Sequence, residues 1–463
     1  MAGTNRPNVV FILTDDQGPW AAGCCGNPEM RTPNIDRLAA RGVRFENFFC
    51  TSPVCSPARA SLMTGRIPSQ HGVHDWIRAG NVPPDPAKYL EGLTCYTDVL
   101  AENGYVCGLS GKWHLGDSMT PQHSFSHWFA LPRGSSQYND AEMMRDGQVQ
   151  VMPGYLSDVL TDDALEFIEQ NRGRPFYLSL HYNAPHAPWT GHAQEIVDSY
   201  DDCPFKSCPQ EAAHANAVSQ MRVHLGNRES LKGYFAAVTA MDLNVGRVLD
   251  RLDELGLREN TLVVFTSDNG YSCGHHGFWG KGNGTFPLNM YENSVKVPFI
   301  VSHPGHLPQG VVTPALVSQY DFMPTLLDCL ELPPVQDETL PGASFLSVLK
   351  GETDEAREEV VVYDEYGPVR MIRTQEWKYV HRYPYGPHEL YDLVKDAGER
   401  ENRADDESCR SVVTELRTRL CRWFERYVVA GLDGVKYPVT GKGQLKKIGP
   451  EHTGEECFQP SEG

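Results

Sequence analysis

The sequence has no apolar run long enough to cross a membrane, no internal repeat and too little positive charge to balance its acids. Its 463 residues include 41 Lys and Arg against 60 Asp and Glu, a formal net charge of -19. Such a chain is not expected to bind nucleic acid, and without an apolar span it is not expected to insert in a membrane. If it acts on an anion, it needs a local basic pocket that overcomes its own field.

The spacing of the cysteines does not predict a disulfide framework, and the first residues do not predict a secretory signal peptide. The 13 cysteines are odd in number and irregularly spaced, so we expect them to be mostly reduced and buried. Residues 1–7 are polar, and the apolar run at 9–13 is too short for the core of a signal peptide. We therefore expect a cytoplasmic protein, or a secreted or periplasmic one if a signal was trimmed.

Four short apolar runs, each followed by a polar cluster, predict the fold class. The runs are 8–13, 105–109, 176–180 and 261–265. Such runs are typical of strands buried on both faces, and helical stretches at 161–171 and 231–257 lie between them. We predict an α/β fold with a large, mostly parallel, doubly wound sheet between helices. Because ligands bind at the carboxyl ends of such strands, the polar clusters are expected to converge on one pocket.

The character of the sequence changes after residue 350. A charged stretch at 352–359 precedes three short strand-like runs, and 411–427 has a helical pattern. We predict a catalytic domain at 1–355 and a smaller C-terminal α+β subdomain at 356–463 with an antiparallel sheet. The tail beyond Gly434, rich in Gly, Lys and Pro, is expected to cover the surface or stay mobile.

The most informative motif is Cys55-Ser56-Pro57-Ala58-Arg59. Pro57 suits the first turn of a helix and Ser56 suits its N-cap, which places residue 55 at the helix N-terminus. The free N–H groups there are expected to lower the pKa of a thiol and to favour an oxyanion. Arg59, about one turn on, is expected to hold residue 55 by a charge-assisted hydrogen bond.

Two further groups of residues suggest a metal site and a site for anion binding and proton transfer. Asp15, Asp16, Asp268 and Asn269 offer only hard oxygen ligands, which suit Ca²⁺ or Mg²⁺, although alone each pair also fits a helix cap or a turn. A second group follows strand-like runs or lies in glycine-rich loops and suits anion binding and proton transfer: Lys112, His114, His186 and Lys281. The residue types alone leave the roles of the two histidines interchangeable.

The order of these motifs resembles that of the type I, formylglycine-dependent sulfatases of the alkaline phosphatase superfamily, and the resemblance covers nearly the whole chain. It implies that Cys55 is oxidised to formylglycine by a formylglycine-generating or radical maturase enzyme. It also implies a bound divalent cation, Ca²⁺ with Mg²⁺ as the alternative, and an alkaline phosphatase/sulfatase-like fold. The ligands implied for the cation are Asp15, Asp16, Asp268, Asn269 and the modified Cys55.

The resemblance further implies a mechanism. One hydroxyl of the hydrated aldehyde at residue 55 attacks sulfur, and Arg59 and the cation hold the attacking oxygen as an alkoxide. The cation, Lys112 and Lys281 neutralise the sulfate oxygens. His186, with Lys281, protonates the leaving alcohol. His114 then removes a proton, so that sulfate leaves and the aldehyde re-forms.

The substrate is predicted less directly. Aromatic and polar residues together suit stacking on a sugar ring, and the candidates for the rim of the site are His74, Asp75, Trp76, Trp113, Tyr138, His181 and Trp189. We expect a sulfated small molecule or oligosaccharide such as a glycosaminoglycan fragment, with an O- or N-linked sulfate. The alternatives are a phosphonate or phosphate ester hydrolase of the same superfamily, a non-catalytic binding relative, and a hydrolase using a plain thiolate.

Overall fold

The computed structural model describes residues 6–364, 368–449, 452 and 454–460. The strands in this part of the chain are β1 Asn8–Thr14, β2 Val43–Phe49, β3 Val106–Gly111, β4 Phe125–Ala130, β5 Glu142–Arg145, β6 Gln148–Val151, β7 Phe176–His181, β8 Thr261–Ser267, β9 Ser272–Cys273, β10 Trp279–Gly280, β11 Lys296–Ser302, β12 Val311–Ser318, β13 Glu359–Asp364, β14 Val369–Thr374, β15 Trp377–Arg382 and β16 Glu389–Asp392. The α-helices are α1 Pro33–Ala40, α2 Cys55–Thr64, α3 Pro68–His71, α4 Tyr96–Glu102, α5 Leu156–Asn171, α6 Gln194–Asp198, α7 Arg228–Glu254, α8 Glu292–Val295, α9 Phe322–Cys329, α10 Leu346–Leu349 and α11 Arg410–Tyr427.

A large mixed sheet, ten-stranded over the described residues, forms the centre of the molecule. Its strand order is β12-β2-β11-β8-β1-β7-β3-β4-β5-β6. Strands β8, β1, β7, β3 and β4 run parallel to one another, which confirms the predicted mostly parallel sheet. Strand β11 differs from the simplest doubly wound pattern, because it pairs antiparallel with both β8 and β2 inside the sheet.

Helices cover both faces of this sheet because its central strands carry apolar side chains on both faces. In β1, Val10 and Ile12 pack with α1, α5 and α7, whereas Val9 and Phe11 pack with α4 and α9 on the other face. Full burial of such a side chain contributes about 2 kcal/mol. Among the described residues, no helix is both long and apolar enough to span a bilayer.

A separate antiparallel sheet of order β13-β14-β15-β16 follows, as predicted. Alternating residues of β13 divide between its faces: Val360 and Val362 pack against Phe49 of β2, and Val361 packs against Phe424 of α11. The buried Lys378 of β15 also connects this sheet to the segment before α8, since its ammonium donates to the carbonyl of Met290 at 2.8 Å. The boundary predicted at residues 355/356 stays a prediction.

The helix that follows the Cys55 motif begins two residues earlier than predicted, at Cys55 and not at Pro57. Helix α2 starts at Cys55 itself, and no side chain caps it. The prediction that Ser56 is the N-cap is wrong, since its hydroxyl instead accepts the backbone N–H of Ile77 at 3.0 Å. Residue 55 nevertheless lies at the helix N-terminus, as expected.

Gly111 at the end of β3 is required for the path of the chain into Lys112. Its φ is 120°, and a Cβ there would overlap the carbonyl oxygen of His181. The same carbonyl accepts the backbone N–H of Lys112 at 2.9 Å. The close approach of β3 and β7 thus fixes where Lys112 leaves the sheet.

We expect Gly111→Ala to lower the free energy of unfolding by about 3 kcal/mol or more, because the added methyl group meets backbone atoms that cannot move independently. Urea denaturation measures this loss. The control is Gly173→Ala, where a Cβ meets nothing within 4 Å, and a change within about 0.5 kcal/mol is expected. Equal stability of the two variants would contradict the account.

Candidate active site

The carboxyl ends of four adjacent parallel strands bring the predicted polar residues to one edge of the sheet. Asp15 and Asp16 follow β1, Lys112 follows β3, His181 ends β7 and Asp268 follows β8. Since β8, β1, β7 and β3 are neighbours, their ends lie side by side. The predicted convergence on one site is therefore confirmed.

Three buried carboxylates in this cluster each contact a buried cation. Lys112 Nζ lies 2.5 Å from Asp15 Oδ2, and Lys281 Nζ lies 2.5 Å from Asp16 Oδ1. The third pair joins Arg59 Nε and Asp268 Oδ2 at 2.9 Å. Because ions removed from water are strongly destabilised unless paired, the protein balances the charge of these three acids with its own side chains.

The pairing decides the ionisation of the cluster. Burial raises the pKa of Asp15, but the charges of Lys112, His186 and Arg59 outweigh this effect and leave the pKa below its ordinary value. In Asp16, burial is likewise outweighed, chiefly by Lys281, and the pKa is lowered. Burial alone would lower the pKa of Lys281, yet the neighbouring acids raise it well above the usual range. Asp15, Asp16 and Lys281 are thus charged at neutral pH.

Cys55 lies at the bottom of this cluster with only 4% of its surface exposed. Lys281 Nζ is 2.7 Å from its Sγ, and the thiol is 3.6 Å from Asp15 Oδ1. Burial raises the pKa of the thiol to about 12, despite the opposing charges of Lys112 and Lys281. The expected lowering of this pKa by the helix N-terminus is therefore wrong for the encoded cysteine, because desolvation is the larger effect.

Arg59 is placed differently from the prediction. Besides its bond to Asp268, its Nη1 donates to the carbonyl of Lys112 at 2.9 Å, and its Nη2 has no partner among the described residues. The cation that contacts Cys55 is Lys281 instead. Arg59 therefore joins the residues that follow β3 and β8, and its Nη2 amino group, with two N–H bonds, has no partner among the described residues.

The two histidines are distinguished by their hydrogen bonds. Since a carbonyl can only accept, the bond of His114 Nε2 to Ile77 O at 3.0 Å assigns the hydrogen to Nε2, and Nδ1 is left without a partner among the described residues. Burial, followed by the charges of Lys112 and Arg59, lowers the pKa of His114 well below its usual value. This buried ring is thus a neutral acceptor.

His186 presents the opposite nitrogen. Its Nδ1 donates to the carbonyl of Ala187 at 2.7 Å, and its Nε2 lies 3.8 Å from Asp16 Oδ2. Its side chain is 24% exposed and lines the cavity described below. This nitrogen can therefore meet a bound molecule as well as Asp16.

Two aromatic side chains expected at the rim support the His186 loop instead. The hydroxyl of Tyr138 donates to the carbonyl of His186 at 2.8 Å, and Trp189 Nε1 donates to that of Pro185 at 2.9 Å. Both side chains are largely buried. They hold the backbone that carries the histidine, and neither lines the cavity over Cys55.

The oxygen atoms fit a hard cation. The second oxygen of Asp15 lies 3.6 Å from the thiol, and that of Asp16 lies 3.8 Å from His186 Nε2. The buried Oδ1 of Asn269 has no partner among the described residues. Ligand atoms of Asp15, Cys55 and Asp268 also lie within 4.8 Å of one another. Carboxylate and amide oxygens of this kind suit Ca²⁺ better than Zn²⁺.

A cavity of about 1280 Å³ opens above Cys55. His114, His186 and Lys281 line it, and of the seven residues predicted for the rim Trp76 also does so. Trp76 is held by a bond from its Nε1 to the carbonyl of Gly441 at 3.3 Å. The same cavity is therefore lined by the catalytic candidates and by the ring of Trp76.

The other four predicted rim residues lie elsewhere, which corrects the prediction. Trp113 is 2% exposed and packs edge-on against Phe125 and Trp128 in the core. His181 is 4% exposed, and its Nδ1 bonds the carbonyl of Lys112 at 3.0 Å. His74 and Asp75 are buried below the cavity wall, where their backbone N–H groups donate to Gln444 Oε1.

Sequence reasoning missed most of the cavity wall. The missed residues are charged or polar side chains from three separate segments: Arg78, Lys88, Arg133, Lys446, Lys447 and His452. The available signal was the concentration of lysine and glycine in the C-terminal tail, which was expected only to cover the surface or stay mobile. In the structure, Lys446, Lys447 and His452 form part of the wall.

Comparison with known proteins agrees with this geometry. A family model described as Sulfatase matches residues 7–332, and one described as N-sulphoglucosamine sulphohydrolase, C-terminal, matches residues 274–426. An N-acetylglucosamine-6-O-sulfatase of Bacteroides thetaiotaomicron is 27% identical, with 86% of this chain and 83% of that protein covered. An ulvan-active sulfatase of Formosa agariphila is 30% identical, with 90% and 80% covered.

A solved structure has the same fold. It is a complex of a protein with its substrate D-glucosamine-2-N,6-O-disulfate, and it matches with a TM-score of 0.80 at 26% identity, covering 91% of this chain and 98% of its own. With a family model that spans most of the chain, these matches show that this protein belongs to the sulfatase family of sulfuric ester hydrolases.

Proposed function

We propose that this protein removes a sulfate group, as an ester or an N-sulfate, from a carbohydrate, with Cys55 converted to formylglycine and a Ca²⁺ ion bound beside it. The observation that carries the proposal is the position of Cys55. Its sulfur lies 2.7 Å from Lys281 Nζ at the base of a cavity whose wall contains His114 and His186. A nucleophile, a cation and two proton-transfer groups thus surround one point.

Formylglycine would supply chemistry that the encoded thiol does not. A hydrated aldehyde offers one hydroxyl for attack on sulfur and a second hydroxyl whose deprotonation releases sulfate. The encoded thiol, with its pKa raised to about 12, is a poor source of a thiolate, which argues against the thiolate alternative. The proposal requires a maturase, either a formylglycine-generating enzyme or a radical enzyme, as a partner of the unmodified chain.

The lysines neutralise the charge on the sulfate. Lys281 contacts Cys55 directly, and Lys112 Nζ lies 2.5 Å from Asp15 Oδ2. Their ammonium groups are fixed by these ion pairs before a substrate binds. Preorganised charges of this kind stabilise negative oxygens without further rearrangement.

The histidines divide the proton transfers. His186 presents Nε2 to the cavity and is partly exposed, so we assign it the donation of a proton to the leaving oxygen or nitrogen. His114 is buried and neutral with an unpartnered Nδ1, so we assign it the removal of a proton at residue 55. The hydrogen-bond partners therefore favour one of the two arrangements that the residue types allow.

Asp15, Asp16, Asp268 and Asn269 would hold the cation together with residue 55. When bound, Ca²⁺ would polarise a sulfate oxygen and stabilise negative charge. The free oxygens of Asp15 and Asp16 and the unpartnered Asn269 Oδ1 support this assignment.

A carbohydrate is the substrate class that the surroundings support. The cavity is larger than one sulfate requires, and Trp76 offers an aromatic face of the kind that stacks on sugars. Relatives named as acting on N-acetylglucosamine 6-O-sulfate or ulvan are consistent with this class. A phosphonate or phosphate ester hydrolase is the main alternative, and the lysine and histidine set favours sulfate, a monoanion whose leaving group needs an acid.

The test of the proposed function combines the mass of the peptide containing residue 55 with the rate of hydrolysis of defined substrates. In active protein from a host that has a maturase, we expect the peptide containing residue 55 to have the mass of formylglycine. We also expect hydrolysis of at least one defined sulfated mono- or disaccharide, with lower kcat/KM on matched phosphate and phosphonate esters. Cys55→Ala should lower kcat by at least about 10³-fold.

The matched control is Cys421→Ala in the remote helix α11, which should leave turnover unchanged. Full activity with an unmodified Cys55 would refute the proposed chemistry. Activity restricted to simple aryl or alkyl sulfates would refute the carbohydrate assignment, and preference for phosphonates would favour the alternative enzyme.

The role of His186 predicts a dependence on the leaving group. His186→Ala should lower kcat/KM for a sugar sulfate by about 10²–10⁴-fold, because an alkoxide leaves poorly without a proton donor. The loss on 4-nitrophenyl sulfate should be much smaller, since that phenolate leaves without help. Initial rates with both substrates provide the measurement, and His306→Ala, at an exposed site, is the control. Equal losses on both substrates would show that His186 is not the acid.

The cation assignment predicts a stability effect that is independent of turnover. At 100 times its dissociation constant, Ca²⁺ should raise the free energy of unfolding by about 2.7 kcal/mol. Asn269→Ala should weaken Ca²⁺ binding about tenfold or more, measured by titration calorimetry and thermal melts after chelation. Asn216→Ala, at an exposed site, is the control. Unchanged Ca²⁺ affinity in Asn269→Ala would remove this ligand from the site.

A further inference from the structure

The cavity over Cys55 has the opposite charge balance from the rest of the protein. Among the described residues that line it, six carry Lys or Arg side chains and two carry Asp or Glu. The whole chain has 41 basic residues against 60 acidic ones. A basic cavity in so acidic a protein concentrates positive potential where a ligand enters.

Most of these cations lie away from the catalytic cluster. Lys281 is buried at the base, whereas Arg78, Lys88 and Lys446 are exposed and Lys447 is partly exposed in the wall. They come from two segments of the chain, the loop at 76–88 and the C-terminal tail. The wall is therefore a second basic region, separate from the lysines that would face the reacting sulfate.

Within the described part of the chain, none of these four wall cations lies within ion-pair distance of a carboxylate, although the charge of Glu91 acts on Lys447. Lys447 Nζ donates to the backbone carbonyl of Glu91 at 2.9 Å, and Arg78 Nη1 donates to that of Lys442 at 3.2 Å. Each basic residue of the catalytic cluster, by contrast, contacts a carboxylate. The charge of the wall is thus available to a ligand.

The tail that carries two of these lysines is held in place. Gln444 is fully buried, and its Nε2 donates to the carbonyls of Gly72 and Lys446 at 2.9 and 3.0 Å. Its backbone N–H donates to Trp76 O at 2.8 Å, and its carbonyl accepts from Arg78 N at 2.9 Å. Lys446 and Lys447 are therefore part of a built wall and not of a loose terminus.

We propose that this wall, formed by Arg78, Lys88, Lys446 and Lys447, binds a second anionic group of the substrate, remote from the sulfate that is removed. The inference rests on the proposed function of the cavity and narrows it to substrates with at least two negative groups, such as a polysulfated saccharide. The tail is thus a specificity element that recognises the second charge.

The test uses two probes that differ by one fixed charge, 2-naphthyl sulfate and 6-sulfonato-2-naphthyl sulfate. Binding to the calcium-loaded full chain carrying Cys55→Ala, whose side chain cannot be oxidised to formylglycine, is measured by titration calorimetry at low salt. We expect the sulfonated probe to bind about tenfold more tightly. In the additional presence of Lys446→Gln and Lys447→Gln, the ratio of the two dissociation constants should fall to near one.

Further variants guard against a structural effect of the double change. Lys88→Gln alone, at an exposed site, should reduce the ratio in part, and Lys442→Gln, in the same tail but outside the cavity lining, should leave it unchanged. Equal binding of the two probes, no binding of either, or a ratio unaffected by the double variant would overturn the inference. Tighter binding of the sulfonated probe by a protein whose matured form cleaves no sulfate ester would overturn the proposed function alone.

Discussion

The site depends on the matching of three buried acids with three buried cations. Each of Asp15, Asp16 and Asp268 would be strongly destabilised in the interior without its cationic partner. Each partner cation would be destabilised equally without its carboxylate. Removal of one member therefore leaves an uncompensated buried charge and not merely a lost contact. The arrangement also orients the free oxygens and the ammonium groups before any ligand is present, which is the condition for electrostatic catalysis.

The sheet fixes the positions of the paired acids and cations relative to one another. Parallel strands end at one edge, and the ladder continues beyond them: Asp268 N donates to Thr14 O at 3.1 Å and Lys112 N donates to His181 O at 2.9 Å. Side chains that follow such strands cannot separate without breaking backbone hydrogen bonds. Burial of β1 on both faces fixes the strand itself, so core packing and ion pairing reinforce each other.

The floor of the site could be predicted from the sequence because its signals are local. An apolar run followed at once by Asp15 and Asp16, or by Lys112, specifies both a strand and its polar end. The wall could not be predicted, since Ile77 pairs with Gln444 across most of the chain, and no local pattern reveals that contact. Trp113 was misplaced for a related reason: its neighbours in sequence are catalytic candidates, but its ring turns into the core.

The cavity is thus built from two parts with different constraints. Its floor consists of strand ends whose substitution would disturb the core and the buried charges together. Its wall consists of surface loops and the tail, joined mainly through Gln444 and carrying exposed side chains such as Lys88 and Lys446. Substitutions at exposed wall positions such as Lys88 and Lys446 can therefore change the charge and shape of the cavity entrance without altering the buried ion pairs of the floor.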